Sequence, residues 1–175
     1  MRNDSKIKLD HAELFFKFVL GISDYILTSD KPLEYLGIFS FGKHTANYDD
    51  LKLNREQEKR GSAILEHVGT YMMILQLNKV LEDEWGEQRL QSNDNDIRII
   101  SQVVRLIRNA FAHDPFNPIW DISKSTENQT FDIPKILTLK TNQLDGKKVN
   151  RMDYGGPLAL LRLLQYTKKK LENST

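Results

Sequence analysis

Between Arg105 and Asp114 the chain places two guanidiniums, an amide and an imidazole within ten residues, Arg105-Leu106-Ile107-Arg108-Asn109-Ala110-Phe111-Ala112-His113-Asp114. Arginine grips a phosphate with a planar, two-pronged set of donors. Histidine is the side chain best suited to moving a proton near neutral pH. Together they suit chemistry on a phosphodiester.

The element that must present them reads as a helix from about Asp96 to His113. At 100° per residue, Ile97, Ile100, Val104, Ile107 and Phe111 fall in an arc of about 80°. Ile99, Val103, Leu106 and Ala110 widen the apolar surface to about half the circumference, which suits a helix in the middle of a bundle. The other arc carries Arg98, Ser101, Gln102, Arg105, Arg108, Asn109 and His113. Asn109 and His113, four apart, share a face, whereas Arg108 and His113 lie about 140° apart around the axis. His113 also falls in the last turn, where the helix dipole attracts cations. Pro115 ends the helix by disfavouring helical geometry at Asp114. The same spacings suit a bland structure, with solvated or carboxylate-paired arginines and a capping histidine. The residues alone leave both readings open.

The flanking segments are expected to form a scaffold of helices. A first helix is predicted from about Asp10 to Leu27, capped by Asp10 and Glu13, with Phe15, Phe18, Ile22 and Ile26 as its apolar stripe. A polar loop over residues 29–53 follows, with a short strand or core plug at Ile38–Gly42. A long second helix spans about Arg55 to Glu84, with Asn54 and Gln57 as a capping box. Beyond Pro115 the chain turns irregular, with β-friendly residues at Ile136–Leu139 and a tight turn expected at Asp145-Gly146. The last helix runs from about Pro157, a favoured first position, to Leu171.

At 175 residues the chain fits one domain with its own core, and it has no internal repeat or low-complexity tract. It has no cysteine, so disulfides and thiolate metal sites are excluded. The first residues do not look like a secretory signal, and no apolar run approaches the roughly 20 residues needed to cross a bilayer. A cytoplasmic protein without membrane association is expected. The net charge of +1 argues against a sequence-blind nucleic-acid binder. Residues 1–90 carry a net −3 and residues 91–175 a net +4, so the positive excess lies in the half that holds the Arg/His segment.

Arg108-Asn109-Ala110-Phe111-Ala112-His113 resembles the signature of the HEPN superfamily: arginine, a few residues, then histidine, often with a polar residue directly after the arginine. The resemblance implies an all-α, antiparallel bundle of four to five helices. Here a small β-hairpin would be inserted at about residues 116–155, before the last helix. It also implies a metal-independent endoribonuclease acting as a homodimer, with two copies of the motif facing one another over RNA. Catalysis would fall to Arg108, Asn109 and His113, as phosphate clamp, orienting amide and proton carrier. The ribose 2′-hydroxyl would attack the adjacent phosphate, leaving a 2′,3′-cyclic phosphate and a 5′-hydroxyl. Glu66, Asp114 and Arg105 are supporting candidates, with Glu66 expected to orient or pair Arg108. A toxin or phage-defence role and an inhibitor or antitoxin partner belong to the same implication. Pro115 stands where the small antitoxin-partnered toxins carry a tyrosine, which argues against direct membership of that group. The alternative is a non-catalytic HEPN-like dimer that binds RNA or protein.

Other candidates carry less. His11, His44 and His67 lack metal-ligand spacing, so no metal or cofactor is expected. Lys168-Lys169-Lys170 reads as RNA contact or ordinary dipole complementation. Trp120 is expected to pack in the core, with stacking on a base as the other possibility. Gly155-Gly156 reads as a tight turn more readily than as an anion site.

Overall fold

The structure, a computed structural model, describes residues 1–33 and 38–173; residues 34–37 of the expected loop lie outside these. In chain order the elements are α1 (Asn3–Thr28), β1 (Ile38–Phe41), β2 (His44–Asn47), a single turn α2 (Tyr48–Leu51) and α3 (Arg55–Trp85). They continue with α4 (Asn95–Ala112), β3 (Thr130–Ile133), β4 (Leu137–Lys140) and α5 (Pro157–Asn173), with 3-10 turns at Glu87–Gln91 and Arg151–Tyr154. The fold is mainly helical. Each pair of strands forms its own two-stranded antiparallel sheet. Among the described residues no helix is long and apolar enough to cross a membrane.

Local signals set several of these boundaries. Asn54 caps α3: its side chain accepts from the Gln57 N–H at 2.9 Å while Gln57 accepts from the Asn54 N–H at 2.9 Å. Asp94 caps α4 through the N–H groups of Asp96 and Ile97. Between these helices the buried Arg89 donates to the Gly86 carbonyl, the Asn78 amide and the Glu82 carboxylate, which fixes the turn from α3 into α4. Arg55 does the same work between α1 and α3. It donates to the carbonyls of Ile26 and Ser29 and pairs at 2.9 Å with the buried Glu58.

α1 departs from expectation in two ways. It begins at Asn3 rather than Asp10, and no side chain caps it. Asp10 and Glu13 instead lie inside the helix and bind Lys168 of α5. Burial alone would raise the Glu13 carboxyl. Hydrogen bonds from Gln165 and Lys17 and the charges of Lys17 and Lys168 outweigh it and hold the carboxyl at about 2. The buried stripe is Leu9, Ala12, Phe16, Val19, Ser23 and Ile26, whereas Phe15 and Phe18 are exposed. Two apolar stripes compete on this helix, and only packing against α3 selects one.

α4 contributes Ile100, Val103, Val104, Leu106, Ile107, Ala110 and Phe111 to the core. They meet Met73, Ile74, Leu77, Val80 and Leu81 of α3, Leu160, Leu163 and Leu164 of α5, and the inner face of β3 and β4. That face is Phe131 and Ile133 against Leu137 and Leu139, in the alternation expected of a half-buried sheet. The tight turn expected at Asp145-Gly146 forms, with the Lys147 N–H closing on the Leu144 carbonyl at 2.9 Å, but the hairpin of β3 and β4 turns at Pro134-Lys135. The Ile136 N–H closes on the Ile133 carbonyl at 3.0 Å, with Pro134 in the second position and Lys135 left-handed at φ 66°. Asp145 instead accepts from the Ile122 N–H at 2.9 Å, and Gly146 donates to the Trp120 carbonyl at 2.9 Å, so this turn anchors a loop to the core.

α1 packs tightly on α3 at Gly69, where an added Cβ would lie 2.8 Å from a Val19 methyl. Val19 is β-branched and stiff, so it has little room to move aside. Gly69→Ala is therefore expected to lower stability by about 1–3 kcal/mol in urea denaturation. Gly61→Ala on the same helix meets no atom within 4 Å. It should raise stability by about 0.4–1 kcal/mol.

Candidate functional site

The last two turns of α4 present the residues singled out above. Arg105, Arg108 and Asn109 are half-buried and His113 is exposed. α4 stops at Ala112, with His113 as its C-terminal cap residue. Beyond it, the Asp114 carboxylate accepts from the N–H groups of Phe116 at 2.9 Å and Asn117 at 3.3 Å. The Ile119 N–H then returns to the Ala110 carbonyl at 3.1 Å. This local folding holds one oxygen of Asp114 and sets His113 on the rim of a pocket of about 330 Å³, together with Ala110, Asp114, Asn117 and Trp120.

Among the described residues, most side chains on the polar arc of α4 lack a partner within the chain, and three of them leave a buried atom unpaired. The side chains of Arg108, Asn109 and His113 form no hydrogen bond or ion pair among the described residues. Ser101 Oγ, Gln102 Oε1 and Arg105 Nε are buried and also lack a partner. Only Arg98 is engaged, by the Ser92 carbonyl at 3.1 Å and the Asn95 side chain at 2.6 Å. Buried polar groups are nearly always paired, so a run of unpaired ones along one helix face is unusual. The structure does not join Arg108 to His113. They keep their separation of about 140° around α4, and no hydrogen bond links them.

Glu66 does not reach Arg108. Its carboxylate, on α3, is 9% exposed and pairs with Arg151 at 3.2 Å, a residue 85 positions away in sequence. Among the described residues, neither Glu66 nor Asp114 pairs with Arg108. Trp120 is 1% exposed and donates through its indole N–H to Asp153 at 2.7 Å, so it packs and does not stack on a ligand. Lys168 pairs with carboxylates inside α1 and Lys170 with those at the start of α4, a structural use of two members of the basic run. Gly155 and Gly156, both at positive φ, make the tight turn expected before α5.

One residue brought to this region had no signal in the sequence. His67 of α3 sets its ring edge against Phe111, centroids 6.0 Å apart, and Tyr71 stacks on the same ring at 6.5 Å. Its position one residue after Glu66 gives no recognisable spacing, and only the packing of α3 on α4 places it beside the motif helix. Among the described residues no group of three or more His, Asp or Glu side chains is arranged to hold a metal ion. No family model matches the chain, and no curated protein or solved structure matches it significantly.

The unpaired state of Arg108 has a measurable consequence. Arg108→Ala and His113→Ala should each change unfolding stability by less than about 0.5 kcal/mol. Arg151→Ala strips the partner from a buried carboxylate and should cost about 1–2 kcal/mol in the same denaturation experiment.

Proposed function

We propose that this chain is a HEPN-like, metal-independent endoribonuclease that acts as a homodimer. In each copy Arg108 holds the scissile phosphate, Asn109 orients it, and His113 carries the proton. One imidazole takes the proton from the ribose 2′-hydroxyl as that oxygen attacks phosphorus. The other imidazole gives a proton to the departing 5′-oxygen. The products are a 2′,3′-cyclic phosphate and a 5′-hydroxyl. The guanidinium stabilises the charge that accumulates on the phosphorane oxygens.

The observation that carries this reading is the open polar row on α4. Among the described residues the Arg108 and Asn109 side chains are half-buried yet unpaired, and neither Glu66, which binds Arg151, nor Asp114 pairs with Arg108. The angular gap between Arg108 and His113 supports the need for a second copy. One chain does not gather the groups around a single phosphorus, whereas an isologous dimer sets equivalent residues on both sides of its axis. A toxin or defence role, with a protein inhibitor covering the row, belongs to the same proposal.

The test is incubation of the purified protein with single-stranded RNA in excess EDTA, with product ends identified by mass spectrometry. Cyclic-phosphate ends should form, and His113→Ala should lower the rate by at least about 100-fold. Saturable RNA binding without product would favour the non-catalytic binding module instead. Cleavage that survives His113→Ala would overturn the mechanism.

A further inference from the structure

A second cluster lies on the α3 side of Phe111, away from His113. It surrounds a cavity of about 520 Å³, within the range of about 300–1,000 Å³ usual for small-molecule sites. His67 and Glu66 come from α3; Lys148, Asn150 and Arg151 come from the segment leading into the second 3-10 turn. We infer that this cavity is a binding site for a phosphate-bearing ligand, held by Lys148, Arg151 and His67.

Charge supports an anion. Glu66 balances Arg151, so Lys148, exposed and without an ion-pair partner among the described residues, leaves the lining with an excess positive charge. Arg151 also binds Glu66 through one terminal nitrogen only, at 3.2 Å. The rest of its donor fork is unused among the described residues, and a fork with one prong fixed is oriented in advance for a bidentate anion. His67 is half-buried, held edge-on by Phe111, and has no hydrogen-bond partner among the described residues.

The backbone that carries Arg151 is rigid. Asn150 and Asp153 form a reciprocal capping box: the Asp153 carboxylate accepts from the Asn150 N–H at 3.0 Å, and the Asn150 side chain also accepts from the Met152 N–H at 2.9 Å. Asp153 is fixed in turn by the indole of the buried Trp120. Upstream, the Val149 N–H donates to the Pro118 carbonyl at 3.0 Å, and Lys148 bridges to Ile119. Hydrogen bonding thus ties the basic wall to the chain just after α4. Preorganisation of this kind lowers the entropy lost on binding. Two sources present the required chemistry, a free nucleotide and the phosphorylated end of an RNA strand. The site does not depend on Arg108 or His113, so it stands or falls separately from the cleavage proposal.

The test is isothermal titration of the whole chain with adenosine 5′-monophosphate and with adenosine. In parallel, anisotropy is measured on one RNA oligonucleotide bearing either a 5′-phosphate or a 5′-hydroxyl. The monophosphate should bind where the nucleoside does not. Lys148→Glu and His67→Ala should each weaken it by about tenfold or more, and Arg108→Ala should leave it unchanged. Lys148 is exposed and unpaired, so its substitution leaves the fold intact, which circular dichroism checks. A preference for the 5′-phosphorylated RNA that Lys148→Glu abolishes identifies the strand end as the source. Equal affinity for the two RNAs, with monophosphate binding retained, identifies the free nucleotide. Failure of the monophosphate and the phosphorylated RNA to bind in preference to their unphosphorylated counterparts, or binding indifferent to both substitutions, would overturn the inference.

Discussion

Packing of α4 against α3, through Ile100, Val104, Ile107 and Phe111, limits where every candidate side chain can lie. A helix with apolar residues over half its circumference is held on that side by the hydrophobic effect, and its rotation is fixed. The opposite arc then has no freedom. Ser101, Gln102, Arg105, Arg108 and Asn109 must stand in one row along the remaining face, whatever the rest of the chain does. Protein interiors usually fill such a row with hydrogen bonds. Here, among the described residues, only Arg98 near the helix start finds side-chain partners, and Ser101, Gln102 and Arg105 each leave a buried atom unpaired. The orphaned row is the physical basis for assigning function to this helix.

The segment between α4 and α5 is best understood as the means of finishing both ends of that arrangement. Trp120, buried and bonded to Asp153, pins the segment to the core, and Asp145 and Gly146 tie it again at the Trp120–Ile122 backbone. On one side it forms the pocket whose rim holds His113; on the other it supplies Lys148 and Arg151 opposite Glu66 and His67. Tyr154 lies beneath. Its phenol is pushed well above its ordinary value by burial and by the neighbouring Glu66 and Asp153 carboxylates, so it stays neutral and acts as packing. The irregular chain therefore gives two cavities their walls without adding to the helical layers.

Features coded by a few adjacent residues were legible in the sequence. The Asn54–Gln57 box, the extent of α4, the stop before Pro115 and the start of α5 at Pro157 all depend on contacts within a turn or two. Features decided by distant partners were not. The start of α1 lacks a capping side chain, and Asp10 and Glu13, which looked like caps, are held by Lys168 at the other end of the chain. Phe15 and Phe18 were as apolar as Phe16, so composition had no means of choosing the buried stripe. The hairpin turn uses Pro134 with a left-handed Lys135, a residue type that gives no turn signal of its own. For the candidate site, the row on α4 was readable from periodicity alone. The engagement of Glu66 by Arg151 and the approach of His67 to Phe111 needed the tertiary fold.

The central claim is that the orphaned row on α4 is a surface for nucleic acid and not an unused face of a structural helix. Side-chain NMR of the labelled chain, titrated with a 2′-O-methyl RNA that binds but lacks the attacking hydroxyl, addresses it most directly. The account predicts that the His113 imidazole and Arg108 guanidinium signals shift together and saturate, while those of the exposed His44 stay in place. Signals of His113 and Arg108 that remain fixed at RNA concentrations saturating other resonances, or an RNA that perturbs nothing, would contradict it.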